Sequence, residues 1–198
     1  MSDSNVVTEA KVDLLADPIP LGLLGYGMTT VLLSLANVGL FPVDGMVFTM
    51  AIFFGGIAQA IVAVLLFMKG NSFGVTAFAG YAFLWLSFAF LNIGAGNGWW
   101  HVTSGAVGAY LLVWALFTLG LVIASVVAPR VLTVILVLTV ILLGSLGAGA
   151  LTGSAGLNLF GGYEGILTGA LAIYLAFAFL INEMFGKDVL PVGKPFRA

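Results

Sequence analysis

The 198-residue chain has no cysteine, a single histidine and few charged side chains. Without cysteine it has no disulfide, no thiolate nucleophile and no cysteine-bound metal. Only 7% of its residues are charged, whereas soluble domains carry about 25%. The formal net charge of -2 comes without any basic cluster, so a nucleic-acid partner is excluded.

The sequence offers little that could support catalysis. His101 has no carboxylate close to it in sequence, and no second histidine exists to complete a metal-binding pair. Residues 153–156 (Gly-Ser-Ala-Gly) superficially resemble a serine nucleophile turn, but no span contains a histidine that could act as the base. We therefore interpret residues 153–156 as a loop, and we predict a protein that is not an enzyme and binds no cofactor or metal.

What the chain has in abundance is apolar residues. They make up 62% of the sequence, and the mean hydropathy is +1.21. Six apolar runs each approach the ~20 residues needed to cross the hydrocarbon core of a bilayer. We predict an all-α integral membrane protein with a polar tail (1–16), a six-helix transmembrane domain (17–186) and a second tail (187–198). The predicted spans are 19–38, 44–68, 73–93, 102–128, 131–151 and 165–181.

The positive charges fall only at the chain ends and in every second loop. The positive-inside rule therefore places both termini in the cytoplasm of a multi-pass protein of the cell (plasma or inner) membrane. The opposite loops hold Asp44, His101 and Glu164, and no carboxylate lies deep in a predicted span, so we expect no relay of buried acids. The cations are Lys11, Lys69, Arg130, Lys187, Lys194 and Arg197.

Glycine is frequent, with 27 residues, many of them inside the spans. Gly165-x-x-x-Gly169 and Gly105-x-x-x-Ala109 have the spacing that lets helix backbones approach closely. Helices 3 and 6 share an order of Gly, Thr and Tyr followed by Phe-Ala-Phe-Leu. One interpretation is a 3+3 inverted repeat, as in many transporters; the other is chance similarity.

Two polar features inside the spans each allow two interpretations. Gln59 in helix 2 must find partners, either by bonding neighbouring helices or by lining a wet path. At the start of helix 1, Pro20, Gly22 and Gly25 leave backbone exposed. Free N–H groups there would attract an anion without any side-chain charge, or the glycines serve only for packing.

The start of helix 1 also carries a family resemblance. The segment Asp17-Pro18-Ile19-Pro20-Leu21-Gly22-Leu23 resembles the Asn-Pro-Ala-Pro-Leu-Gly-Leu signature of the acetate/succinate transporter family (YaaH/SatP type). The similarity continues through GYGMTT at 25–30, FGGIAQ at 54–59, GNSFGVTAF at 70–78, GALAIYLA at 169–176 and NEMFGK at 182–187. The resemblance thus covers nearly the whole chain after residue 16.

The resemblance implies a homohexamer in the lipid bilayer with a pore through each six-helix protomer. The pore would carry acetate, succinate or other small carboxylates, with proton coupling. Tyr26, Tyr81 and Leu138 would form its hydrophobic constriction, and Ala172 would help to set its width. Polar side chains would replace hydration of the substrate beside the constriction: Thr29, Thr30, Gln59 and Asn71.

Two departures from the family pattern bear on function. Asp17 stands where the signature has Asn, and an ionised carboxylate at the pore mouth would repel an anion unless it is turned aside or protonated. Tyr26 stands where Phe is frequent and adds a hydroxyl at the narrowest point. The alternative function is a urea or amide channel, since a cation-free aromatic pore suits neutral amides. A non-transporting scaffold would leave Gln59 and the tyrosines unexplained.

Overall fold

The computed structural model describes residues 15–197, so Lys11 and most of the predicted tail 1–16 lie outside the described residues. Within that range the chain forms six helices, each long and apolar enough to cross a membrane, and no strand. The prediction of an all-α six-span protein is confirmed. The helices are α1 (Ile19–Asn37), α2 (Gly45–Met68), α3 (Ser72–Gly96), α4 (Ser104–Ser125), α5 (Arg130–Thr152) and α6 (Ala155–Phe185).

Short polar side chains set several helix starts, as capping requires. The Asp44 carboxylate accepts a hydrogen bond from the Met46 N–H at 2.9 Å at the start of α2, as the sequence predicts. The Asn71 side-chain oxygen accepts from the Gly74 N–H at 2.8 Å at the start of α3. A glycine ends α6: Gly186 follows its last residue with a backbone φ of 61°, a value that favours glycine.

The helix α2 is π-helical in its middle, over Ala51–Ala58. Such wide turns are rare and often lie at functional sites. Gly55 lies in this stretch against α3, where an added methyl group would lie 2.7 Å from Cγ of Trp85. The wide turn therefore brings the backbone of α2 close to the indole ring of α3.

The six helices form a ring in which each helix packs against its neighbours in chain order, and α6 closes the ring against α1. The α1–α6 contact is the most extensive, and the α3–α4 contact is sparse. Lys69 donates a hydrogen bond to the Leu15 carbonyl at 2.7 Å, which joins the first described residues to the end of α2. We call this side of the ring the terminal face and the other side the distal face. The terminal face carries Ile19, Met68, Ser72, Ser125, Arg130 and Phe185.

Glycines make the α1–α6 contact a backbone contact. A methyl group at Gly169 would lie 2.7 Å from the carbonyl oxygen of Gly27, and a methyl group at Gly27 would lie 2.7 Å from that of Gly169. Close packing at Gly165-x-x-x-Gly169 is thereby confirmed. Gly105 makes no such contact within the protomer, where a methyl group at Gly105 would meet only the Thr103 hydroxyl, at 4.0 Å; Gly108 makes the α4–α5 contact instead.

The largest difference from the sequence prediction is the start of α6. The helix begins at Ala155, ten residues before the predicted start, because Ser154 caps it by accepting from the Leu157 N–H. Glu164 therefore lies inside α6 with 8% of its surface exposed, and not in a loop. The prediction that no carboxylate lies deep in a span is wrong at this residue.

The C-terminal tail folds back on the start of α5. Pro129 provides no side-chain cap there, and the backbone N–H groups of Arg130 and Val131 donate to the carbonyls of Gly193 at 3.4 Å and Val192 at 3.2 Å. The Arg130 guanidinium also lies 4.8 Å from the centre of the Phe196 ring. The tail thus supplies the cap that the sequence at residue 129 lacks.

The domain boundaries and the 3+3 repeat stay predictions.

Candidate functional site

Two cavities lie along the inside of the ring, one toward each face. The distal cavity has a volume of about 580 Å³, and the proximal cavity, toward the terminal face, has about 320 Å³. Three side chains line both cavities and lie between them: Tyr26 of α1, Tyr81 of α3 and Thr139 of α5. We call these three residues the constriction.

The distal cavity has apolar walls with a few amide and hydroxyl groups. The Asn92 amide donates to the Phe88 carbonyl at 2.8 Å, so this group is already engaged. Asn37 of α1 and Asn158 of α6 also line the cavity, and their amides can donate to a guest oxygen. An apolar chamber with a few polar groups is typical of a small-molecule site.

The proximal cavity is smaller and more apolar. Asn71 lines it, and because its side-chain oxygen caps α3, its NH₂ group is the part left to donate. Phe78 and Phe179 add aromatic walls, and Ile19 places the start of α1 at the rim. The chamber therefore offers a guest mainly apolar contact and one amide donor.

Two aromatic rings narrow the path at the constriction. The ring centres of Tyr26 and Tyr81 lie 5.1 Å apart with the planes tilted by 47°, and Phe117 of α4 packs edge-on against Tyr81 at 5.9 Å. Both tyrosines are buried, with 7% and 5% of their surface exposed. The structure thus brings together two of the three residues that the resemblance assigned to a constriction.

Both tyrosines donate their hydroxyl hydrogens to threonine oxygens. Thr139 donates its single hydrogen to the Ile135 carbonyl at 2.7 Å, so Tyr26, 2.6 Å from the Thr139 oxygen, must be the donor in their contact. Likewise Thr118 donates to the Trp114 carbonyl at 2.9 Å and accepts from Tyr81 at 3.1 Å. The constriction therefore presents oxygen lone pairs and no free hydroxyl donor.

The other predicted pore residues lie at different depths in the walls. Thr30 lines the distal cavity, and its hydroxyl donates to the Tyr26 carbonyl at 2.7 Å. Leu138 is half-buried and lines neither cavity, whereas Thr139, the next residue, lines both. Three of the predicted pore residues are fully buried and line neither cavity: Thr29, Gln59 and Ala172.

Gln59 packs in the seam between α1 and α2. Its amide donates to the Gly55 carbonyl at 2.7 Å, while its side-chain oxygen has no partner, and a methyl group at Gly25 would lie 3.2 Å from its Cγ. Gln59 therefore lines neither cavity and bonds no neighbouring helix, because its one hydrogen bond is to the backbone of its own helix.

The signature segment forms part of the wall of the proximal cavity. The Asp17 carboxylate accepts from the Ile19 N–H at 3.0 Å and so is turned toward the backbone. Pro20 has no N–H, and the Gly22 N–H bonds to the Pro18 carbonyl, so at most the N–H of Leu21 stays free. The interpretation in which glycines serve packing is favoured: a methyl group at Gly22 would collide with the Phe78 ring, and Pro18, Pro20 and Leu23 are buried.

Thr139 and Thr118 were not predicted as site residues from the sequence. Each is a buried hydroxyl in an otherwise aliphatic helix, and each also bonds its own backbone one turn back, which is the usual reason for threonine in a span. The missing signal was the pairing with a tyrosine on another helix, which only the packing reveals. Asn158 was missed because residues 152–164 fall between two predicted spans.

Comparisons with known proteins agree with this architecture. The succinate-acetate/proton symporter SatP of Escherichia coli is 41% identical over 181 residues, covering 91% of this chain and 96% of SatP. A solved structure of the bacterial acetate channel SatP matches with a TM-score of 0.89 and 42% identity, covering 90% of this chain and 99% of that one. A yeast relative in Saccharomyces cerevisiae, ammonia transport outward protein 2, is 31% identical, covering 85% of this chain and 63% of the relative.

The family assignment rests on nearly the whole chain. The model of the GPR1/FUN34/YaaH family matches residues 3–191. The SatP relative at 41% identity and the solved structure at 42% identity bear the names of a symporter and a channel, not of an enzyme. This multi-pass membrane protein therefore belongs to the GPR1/FUN34/YaaH family.

Proposed function

We propose that the chain carries acetate, succinate and other small carboxylates across the cell membrane by way of the two cavities. The observation that carries the proposal is a pair of chambers that lie end to end, with Tyr26, Tyr81 and Thr139 as the wall between them. The names of the similar symporter and channel supply the substrate class. A narrow apolar passage with few polar groups selects its substrate by diameter and by hydrogen bonding, as in other channels.

The hydrogen bonds of the constriction favour passage of the neutral acid. An ionised carboxylate needs donors, but the hydroxyl hydrogens of Tyr26 and Tyr81 are held by Thr139 and Thr118. A protonated acid brings its own O–H, which the tyrosine oxygens can accept. Net movement of acid then carries one proton with each carboxylate, which is the stoichiometry of a symport.

Flux measurements in proteoliposomes test this function. We expect labelled acetate uptake above that of protein-free liposomes, which report the leak of acetic acid through lipid. Because the neutral acid carries no charge across the constriction, uptake should respond to a pH gradient and not to an imposed membrane potential. Uptake that follows the potential would leave transport intact and would disprove passage of the neutral acid.

Urea uptake in the same liposomes tests the alternative amide channel. The lone pairs of the constriction could accept from amide N–H groups as well as from an acid O–H. We expect acetate uptake to exceed urea uptake, and urea uptake with acetate at the protein-free level would replace our proposal by the alternative. Carboxylates are favoured over ammonia because the relatives named for carboxylates are the more similar ones.

The contribution of α5 to the constriction can be tested with adjacent residues. Leu138→Ala should admit larger acids such as lactate if Leu138 forms the narrow point. Thr139 lines both cavities, so we expect Thr139→Ala to raise the lactate-to-acetate uptake ratio more than Leu138→Ala does. Equal ratios in the parent and both variants would remove α5 from the constriction.

The terminal face is proposed to be cytoplasmic, because all five cations in residues 15–197 lie in its loops and tail. The cysteine-free chain allows a direct test. Asp188→Cys in the tail should react with a membrane-impermeant thiol reagent only after permeabilisation, and Asn97→Cys at the distal face should react in intact cells; both positions are exposed. The opposite labelling pattern would invert the orientation.

The homohexamer also stays a proposal. It is supported by the resemblance and by the many large apolar side chains exposed on the protomer, such as Phe67, Val113 and Ile123. Lipid accounts for such surfaces equally well in a membrane protein. Native mass spectrometry of the detergent-solubilised protein gives the number of copies directly.

A further inference from the structure

Glu164 is an acid that the proposed pathway does not use. In the described residues 15–197 it is the only buried side chain of a charged type. The Thr168 hydroxyl, itself fully buried, donates to its Oε1 at 2.7 Å, and its Oε2 has no hydrogen-bond partner. A carboxyl group in this position is costly to keep, and buried acids in spans are by default candidates for a function.

The position of Glu164 relates it to the distal cavity. The neighbouring Gly165 lies directly against the Ser34 hydroxyl, and a methyl group at Gly161 would lie 2.7 Å from Leu146. Ser34 and Leu146 both line the distal cavity. Glu164 therefore lies on the helix that backs the wall of the distal cavity.

Few other charged or titratable groups face Glu164. On α1, which packs against α6, Tyr26 is the only titratable side chain, and α1 has no charged residue. On α5, the other neighbour, the only charged residue is Arg130, at the terminal face. On α6 itself, Tyr163 is exposed. Tyr174 lies nearly two turns beyond Thr168 toward the terminal face, and Glu183 lies about four turns beyond it. No cation in the described chain compensates an ionised Glu164.

We propose that Glu164 is a proton-binding residue through which pH controls carboxylate entry into the distal cavity. The inference rests on the proposed carboxylate transport. Small carboxylic acids are ionised at neutral pH, so most substrate enters the distal cavity as the anion and takes up its proton from water there, before the constriction. An ionised Glu164 behind the wall repels this entering anion. Protonation of Glu164 removes that charge and raises the occupancy of the cavity. Glu164 lines neither cavity and so does not contact the substrate. It is a positioning residue that acts on the substrate only through its charge.

The test compares Glu164→Gln with the parent in proteoliposomes across a range of equal internal and external pH. The amide keeps the size and can accept from Thr168, but it stays neutral. We expect the variant to match the parent at low pH and to exceed its acetate flux about fivefold at high pH, because the ionised carboxyl group of the parent then repels the anion. Glu183→Gln, at an exposed acid on the same helix, should keep the pH profile of the parent.

A second variant and a spectroscopic measurement make the outcome decisive. Thr168→Val removes the donor to the carboxyl group, so the pH response should move toward higher pH without disappearing. In infrared difference spectra, the carbonyl band of a buried carboxylic acid should titrate in the parent and be missing in Glu164→Gln. If both variants only scale the parent profile and the band is absent, the inference is wrong. If the band titrates but neither the parent nor any variant moves acetate, the proposed function fails instead.

Discussion

Gly169→Ala should lower the stability of the protein by about 3 kcal/mol, the upper end of overpacking costs. The added methyl group would lie 2.7 Å from the Gly27 carbonyl oxygen, closer than carbon and oxygen atoms pack, and a backbone atom cannot rotate away. The α1–α6 contact, the most extensive in the ring, would have to open. We expect the apparent melting temperature in detergent to fall by about 10 °C.

Gly120→Ala is the matched control for this prediction. Gly120 also lies inside a membrane-spanning helix, but a methyl group there meets no atom within 4 Å. Alanine has the higher helix propensity, so the melting temperature should stay the same or rise slightly. Equal losses in the two variants would mean that glycine acts through helix flexibility and not through the α1–α6 contact.

Tyr26→Ala should have the largest effect on substrate selection. Removing the ring joins the distal and proximal cavities across the Tyr26–Tyr81 contact, which now has 5.1 Å between ring centres. Because a missing group in an apolar site changes discrimination by a factor of 10 or more, we expect the lactate-to-acetate uptake ratio to rise on the order of tenfold. Uptake of both acids in proteoliposomes measures the ratio.

Two controls separate ring size from other effects of this substitution. Tyr26→Phe keeps the ring and loses only the hydroxyl, so the lactate-to-acetate ratio should stay near that of the parent. Tyr163→Ala removes an exposed tyrosine of α6 and should also leave the ratio unchanged. Since a buried aromatic-to-alanine change costs about 3–5 kcal/mol, gel filtration must show that Tyr26→Ala is folded. A ratio that rises equally in Tyr26→Phe would assign selection to the hydroxyl.

The helix count and most helix ends could be predicted from the sequence, because hydrocarbon imposes a minimum length and charges or turn residues interrupt the runs. The start of α6 could not. Residues 155–164 contain three glycines and little periodicity, and they are helical because Ser154 caps them and Gly161 and Gly162 pack against α5 and α1. That error hid both Glu164 and Asn158.

The candidate site was predicted in part. Tyr26 and Tyr81 were assigned by resemblance, and the structure brings them together. Thr139 was not assigned, since a threonine bonded to its own helix looks the same in sequence whether or not a tyrosine from another helix reaches it. Gln59 and Thr29 could not be placed either, because a polar side chain in a span can face a seam or a cavity at the same sequence spacing.

The sequence by itself determined the six apolar spans of a membrane protein and the family, because these follow from apolar length and from motifs carried along the chain. Only the tertiary structure decided which hydroxyls hold the tyrosine hydrogens, that the constriction offers lone pairs, and that Glu164 is buried with one oxygen unpaired. The physical reason is that hydrogen-bond partners and burial depend on which helix faces meet. In this chain glycine contacts such as Gly27–Gly169 fix those faces.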